Sequence, residues 1–167
     1  MELIRCTQKL LRELGQEPTN ILPIKSLLGS WHANLLMIER RKCVLATNDS
    51  TLYTIFIPRL IKADFEAFHL IFQENLYKNL AYEGFPQKQI EAVLKEYQDL
   101  KYAKTNNRRI LGSMNDMRSQ LEFRIQMHGG LKITDMLELN HELNRIIFSA
   151  INYKHPIELL RVKISGS

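Results

Sequence analysis

The longest stretch of strand-forming residues runs from Trp31 to Pro58, and it constrains the fold more than any other part of the chain. It predicts three strands separated by polar turns: strands at about 31–39, 43–47 and 51–57, and turns at 40–42 and 48–50. Apolar residues occupy both faces of the first strand, since Leu35 and Leu36 point in opposite directions. The stretch therefore predicts an antiparallel meander that is covered on two sides, or on one side and by a partner.

Short elements precede this meander. Residues 3–6 form a predicted strand, and Thr7 is a suitable N-cap for a helix that ends at Gly15. Between residues 16 and 30, prolines and a glycine break both the helical and the strand period. We expect a packed loop there that leads into the meander.

The chain after Pro58 is predicted to be helical. Asp64 is a candidate N-cap for a helix with an apolar stripe that is typical of a core, formed by Phe65, Phe68, Phe72, Leu76 and Leu80. Residues 90–97 carry a second apolar face, and Thr134 is a candidate N-cap for the last long helix. The run 159–164 near the C-terminus is weakly strand-like.

These elements predict an α+β fold in a single domain, 1–167. The N-terminal strand and the three-strand meander at about 31–57 form a small antiparallel sheet, which packs against four or five C-terminal helices. A length of 167 residues and a hydrophobic content of 45% fit one core of ordinary size.

Charge and cysteine content limit the function classes. Lys and Arg exceed Asp and Glu by 23 to 18, so an anionic partner is compatible with the chain but not required by it. Cys6 and Cys43 lack the spacing of a metal or redox motif and are too few for a disulfide framework, which favours a reducing compartment. No window has the apolar length of a signal peptide or a membrane span. We expect a cytoplasmic protein without a membrane partner, cofactor or metal site.

Four blocks of the sequence resemble a family of small uncharacterised bacterial proteins known as a domain of unknown function. These blocks are CTQKLLRELG, LLGSWHANLL, RRKCVLATNDSTLYTIFIP and NNRRILGSMNDM. Their order and spacing cover most of the chain. The resemblance implies a bacterial, soluble, single-domain protein, and it brings no assigned activity and no catalytic residue.

The first candidate site lies in the segment 101–116, KYAKTNNRRILGSMND. Its first nine residues carry four positive charges and no acidic residue, which predicts an exposed connection. A helix is predicted to open at Gly112 and Ser113, and its free N–H groups together with Arg108 and Arg109 could bind an anion. The alternative is a capping box, in which Ser113 and Asp116 satisfy the helix start; Asn115 lies between them.

The second candidate is the sequence Trp31-His32-Ala33-Asn34 at the entry to the meander. His32 and Asn34 share one strand face and could bind a substrate or transfer a proton. The alternative is structural, with Trp31 in the core and His32 held by hydrogen bonds.

The third candidate is a basic surface that would attract nucleic acid if the first turn of the meander and the basic connection lay on one side. Its members would be Arg40, Arg41, Lys42, Lys101, Lys104, Arg108, Arg109 and Arg118. Solvated turns explain the same charges.

Two function classes remain. The preferred hypothesis is a binding module that recognises an anionic ligand, a nucleic acid or a protein partner through residues 101–116. The alternative is a small hydrolase or nuclease-like enzyme, in which His32 and Asn34 meet a carboxylate, either Asp49 or Asp116. The oligomeric state and the strand order are not determined by the sequence.

Overall fold

The computed structural model describes residues 1–166. Five strands occupy Glu2–Cys6 (β1), Trp31–Ile38 (β2), Arg41–Asn48 (β3), Thr54–Leu60 (β4) and Leu100–Lys104 (β5). Seven α-helices occupy Gln8–Leu14 (α1), Lys62–Glu66 (α2), Phe68–Tyr82 (α3), Gln87–Glu96 (α4), Arg108–Met127 (α5), Met136–Leu143 (α6) and Pro156–Ser165 (α7). A single 3-10 turn follows α6 at Ser149–Ile151. The α+β class is therefore confirmed.

The strands form one mixed sheet in the order β4-β3-β2-β1-β5. The antiparallel meander is confirmed, since β2 pairs with β3 and β3 with β4 in antiparallel register. The prediction that the N-terminal strand is also antiparallel is wrong, because β1 runs parallel to both β2 and β5. α1 and a long loop connect β1 to β2. This crossover returns the chain to the end of the sheet where β1 began, so β2 runs in the same direction as β1.

β5 was predicted as an exposed connection. Lys101 and Lys104 are exposed, while Ala103 is buried against the sheet. Lysines are common on edge strands because they discourage pairing with other chains. Two of the four positive charges that suggested a solvated loop therefore belong to an edge strand.

Several boundaries of the meander differ from the prediction, among them the start of β4, which lies at Thr54 instead of residue 51. The first turn consists of Glu39 and Arg40, both at positive φ, so that Arg41 already belongs to β3. β4 continues past Pro58 to Leu60, through a register shift opposite β3. β4 is the other edge of the sheet, where a proline can be accommodated without loss of a ladder hydrogen bond.

The sheet is covered on both faces, as the alternating apolar residues of β2 predict. The first core contains Trp31 and packs against α1, α3, α4 and α7. The Phe stripe predicted for the first long helix is buried in this core, although the helix is split into α2 and α3. The second core contains Leu36 and packs against α5 and α6. Six α-helices of the described chain follow the meander, instead of the predicted four or five.

Three local predictions about helices are corrected. Asp64 lies in the first turn of α2, where its carboxylate accepts the N–H of Ile61 at 2.8 Å. Asp135 caps α6 in place of Thr134, since its side chain accepts the N–H groups of two following residues. Residues 159–164 lie in a helix, α7, which begins at Pro156 and buries one apolar stripe.

Candidate functional site

Helix α5 begins four residues before the predicted start. Asn107 is its N-cap, and Oδ1 of this side chain accepts the N–H groups of Arg109 (3.0 Å) and Ile110 (3.2 Å). Gly112 and Ser113 lie inside the helix, so the predicted capping box at Ser113 and Asp116 is wrong. Asparagine is among the residues most favoured at the N-cap, and the two arginines after it are good helix formers.

The other predicted residues of this segment point in several directions. Arg109 and Ser113 line a hollow of about 210 Å³ together with Asp49. Asp116 lines a separate hollow between α5 and residues 146–153. Exposed positions are occupied by Arg108, Gly112 and Asn115.

The predicted basic surface does not form one patch. The turn at Glu39 and Arg40 lies beside the end of α5, because the carboxylate of Glu39 accepts the N–H of Leu131. Arg108 and Arg109 are at the start of this helix, which has 20 residues and is therefore about 30 Å long. Lys42 pairs instead with Glu13 of α1 at 2.6 Å.

Ion pairs also occupy two other members of the predicted surface. Lys101 pairs with Asp99 at 3.6 Å and Arg118 with Glu122 at 2.8 Å. Arg40 and Arg41 are exposed at the turn between β2 and β3, which lies near the end of α5 and not near its start, where the basic connection leads into the helix.

His32 is completely buried and uses both of its ring nitrogens. Nδ1 lies 2.7 Å from Oδ1 of Asp49, and Nε2 accepts the backbone N–H of Asn106 at 3.4 Å. Since Nε2 accepts, the ring proton is on Nδ1, which donates to Asp49. Asp49 is thus the carboxylate beside His32, whereas Asp116 is not.

Asn34 lies on the same face of β2 but serves another partner. Its Oδ1 accepts a hydrogen bond from the hydroxyl of Thr7 at 2.9 Å. Trp31 faces the first core, where its ring meets Phe72 edge-on at 5.1 Å and its Nε1 donates to the hydroxyl of Tyr97 at 2.9 Å. The structure therefore pairs His32 with Asp49, whereas Asn34 is hydrogen-bonded to Thr7.

The parallel pairing of β1 with β5 creates a crevice that the sequence did not reveal. Cys6 and Lys104 are paired in register, so the carboxyl ends of β1 and β5 lie side by side. The chain leaves β1 through α1, which packs in the first core, and leaves β5 towards α5, which packs in the second. Ligands of open α/β sheets bind in crevices of this kind, where neighbouring connections depart to opposite faces.

A cavity of about 610 Å³ occupies this position. One wall is formed by the end of β1 and by α1, with Cys6, Gln8, Leu11 and Arg12. The opposite wall is formed by the end of β5, with Lys104 and Thr105, and residues 15–18 complete the lining. Among the polar wall residues, only Lys104 was a predicted site residue, because β5 was not recognised as a strand. The spacing of Gln8 and Arg12 by one helical turn was the available signal.

Two positive side chains and one negative side chain border the cavity. Within residues 1–166, Arg12, Lys104 and Glu17 form no ion pair, so their charged groups are available to a ligand. Cys6 lies at the inner wall, where burial raises the pKa of its thiol far above the usual value. This thiol is therefore neutral, and it donates a hydrogen bond to the carbonyl of Ile4 at 3.5 Å.

Among residues 1–166, no group of three or more His, Cys, Asp or Glu side chains is arranged to hold a metal ion. No helix in the same range has both the length and the apolar composition to cross a membrane.

Comparison with curated proteins and with solved structures found no match. Comparison with family models matched residues 3–159 to a domain of unknown function, DUF6933. Because this match spans nearly the whole chain, the protein belongs to the DUF6933 family.

Proposed function

We propose that this protein is a binding module for a small anionic ligand, which it holds in the crevice between the carboxyl ends of β1 and β5. One observation carries the proposal, namely the cavity of about 610 Å³ at the point where the two connections diverge. Small-molecule sites commonly measure about 300–1,000 Å³, so the volume suits a metabolite-sized ligand.

The walls of the cavity supply the chemistry for an anion. Arg12 approaches from α1 and Lys104 from β5, so that a ligand between them contacts two independent positive charges. Gln8 and Thr105 add hydrogen-bonding groups on the same two walls. Glu17 contributes one negative charge, which disfavours densely charged anions and favours a ligand with a single acidic group.

This site is preferred over the start of α5. The side chain of Asn107 already accepts the N–H groups that an anion would need, and Asp49 opposes an anion in the adjacent hollow. A long nucleic acid is also less suited, because the turn at Arg40 and the basic residues near Arg108 lie at opposite ends of α5. Phosphate-backbone binding depends on positive charges that follow one groove.

The hydrolase alternative has less support. His32 has a carboxylate partner in Asp49, but its Nε2 accepts the Asn106 N–H inside the protein, and the side chain has no exposed surface. A general base needs its free nitrogen within reach of the substrate. Neither cavity that adjoins this region includes His32 in its walls.

The proposal includes a bacterial, cytoplasmic setting. Cys6 and Cys43 are both buried free thiols, which fits a reducing compartment.

Isothermal titration at low ionic strength tests the proposal with four probes: inorganic phosphate, acetate, adenosine monophosphate and a short single-stranded DNA. We expect a small anion to bind the wild-type protein, and Arg12→Ala and Lys104→Ala each to weaken it about tenfold or more, since each removes one charge-assisted contact. Lys9→Ala and Lys101→Ala are matched controls, because they remove an exposed charge from the same helix and the same strand. We expect both controls to retain wild-type affinity.

Two results would overturn this proposal. One is the absence of binding by every small anion in the set. The other is equal loss of affinity in the wall variants and in the controls, which would indicate a general effect of net charge. Binding of the DNA alone, with affinity that is insensitive to Arg12 and Lys104, would favour the nucleic-acid hypothesis for residues 101–116.

A further inference from the structure

We infer that His32 and Asn34 are positioning residues, which fix the two strand exits that form the walls of the crevice. The inference deepens the proposed function and rests on it for the identity of the site. The contacts that carry it lie outside the cavity, on the face of β2 that packs towards α5.

His32 holds the exit of β5. Its Nε2 accepts the N–H of Asn106, which follows the wall residues Lys104 and Thr105 directly. Asp49 fixes the orientation of the ring through Nδ1 at 2.7 Å. The imidazole is fully buried, so water does not compete for Nε2, and loss of this acceptor would leave the loop without its anchor on the sheet.

Asn34 holds the exit of β1. Thr7 occupies the N-cap position of α1, yet its hydroxyl makes no capping hydrogen bond and instead donates to Asn34. The backbone N–H of Thr7 also donates to the carbonyl of Ala33, so two bonds tie this residue to β2. The wall residue Gln8 follows Thr7 immediately.

The two anchors are two residues apart on one strand, and they hold segments that leave for opposite faces of the sheet. The separation of the α1 wall from the β5 wall is therefore set by β2, which is paired with a neighbouring strand on both sides. A ligand that bridges Arg12 and Lys104 needs this separation, because a misplaced wall loses one of its two charged contacts.

Two substitutions at His32 separate the roles of its nitrogens. His32→Gln places a side-chain amide near the position of Nε2, and His32→Asn places one near the position of Nδ1. We expect His32→Asn to accelerate amide hydrogen exchange at Asn106 about tenfold relative to the β3 amide of Val44, because the Asn106 hydrogen bond is lost. His32→Gln should restore most of the protection.

Thr7→Val provides the same test on the other wall without a change in the buried histidine. This substitution keeps the shape of the side chain but removes the hydroxyl that donates to Asn34. We expect faster exchange at the amide of residue 7, again relative to Val44, and about tenfold weaker binding of the small anion that the wild-type protein binds. His32→Asn should weaken the same ligand, and His32→Gln should rescue it.

Amide hydrogen exchange and ligand affinity together distinguish failure of the positioning role from failure of the proposed function. If the amides of Asn106 and residue 7 keep their wild-type protection in His32→Asn and Thr7→Val, the positioning role is wrong, whatever the ligand. Faster exchange with unchanged ligand affinity would also overturn it, since the anchors would not control the crevice. If no small anion binds the wild-type protein, the proposed function fails, and the exchange rates still decide whether His32 and Asn34 fix the strand exits. Should His32→Asn fail to fold, Thr7→Val decides alone.

Discussion

Glu2 is a buried carboxyl group at the start of β1 that lacks a full set of partners. Its side chain is almost inaccessible, and Oε2 has no hydrogen-bond partner within the described residues. Burial raises the pKa of Glu2 above its ordinary value of 4.5, the nearby carboxylate of Glu96 raises it further, and a hydrogen bond with Ser26 partly lowers it. The fold therefore favours the protonated form.

This preference predicts how stability depends on pH. A carboxyl with a raised pKa in the folded state contributes full stability below its unfolded value of 4.5, and this contribution is lost as pH rises through the folded pKa. Glu2→Gln removes the buried charge with little change in shape. We expect its melting temperature to exceed that of the wild type by about 2–4 °C near neutral pH, and the difference to vanish in acid.

Thermal denaturation by circular dichroism between about pH 4 and pH 8 measures this difference. Glu66→Gln, which changes an exposed carboxylate on α2, is the control and should follow the wild-type curve. A Glu2→Gln protein that melts below the wild type at neutral pH would contradict the prediction.

Helix α6 and its C-cap residue protect one edge of the sheet through asparagine side chains. Asn144 accepts the N–H of Thr54 at 2.7 Å and donates to its carbonyl at 2.8 Å. One turn earlier, Asn140 makes the same pair of bonds with Phe56, at 2.8 and 3.3 Å. The two amides thus replace the missing neighbouring strand of β4, and they remove an open edge that could pair with another chain.

We expect Asn144→Ala to lower the free energy of unfolding by about 2–4 kcal/mol, because it leaves the buried N–H and carbonyl of Thr54 unsatisfied. Chemical denaturation measures the change, and light scattering should detect association through the exposed edge. Asn115→Ala, on the exposed side of α5, is the matched control and should change stability by about 0.5 kcal/mol or less. Similar values for the two variants would mean that the edge is satisfied in another way.

The elements that the sequence predicts well are those defined by local pattern. The meander follows from strand formers separated by polar turns, and the Phe stripe follows from its helical spacing. β5 was missed because Lys101 and Lys104 carry the signal of a loop, while its strand character depends on pairing with β1, about 100 residues earlier. Hydrophobic periodicity depends on residues that are close together along the chain, so it gives no signal of pairing with a distant strand.

The candidate site shows the same limit at the scale of single side chains. His32 and Asn34 stand out in the sequence, but their roles depend on Asn106 and Thr7, which are distant in sequence. The crevice itself requires two strand ends to meet, and one of those strands was not predicted. Residue type identified the candidates, and topology determined what they contact.

At the scale of the whole molecule, Glu83 links helices that pack in the first core with a helix that packs in the second. Its carboxylate is buried and receives two hydrogen bonds from Arg145, at 3.0 and 2.8 Å, while His141 of α6 lies at 3.1 Å. Arg161 of α7 donates to the Glu83 carbonyl at 2.9 Å and stacks over Phe85. Since α3 and α7 pack in the first core and α6 in the second, this cluster joins helices of the two cores.

We expect a shared cluster of this kind to couple the unfolding of the two cores, which is the behaviour that the predicted single domain would show. We expect Glu83→Gln to lower the free energy of unfolding by about 2–4 kcal/mol, because two arginines lose their buried carboxylate. Partial exposure of the arginines keeps this value below that of a fully buried ion pair.

Two optical probes test whether the cores unfold together. Trp31 fluorescence reports on the first core and far-ultraviolet circular dichroism on all helices, and in guanidinium both should give one coincident transition for the wild type. Glu158→Gln, an exposed carboxylate on α7, should leave that transition unchanged. If Trp31 and the helices unfold at separate denaturant concentrations in the wild-type protein, the cores are independent and the cluster does not couple them.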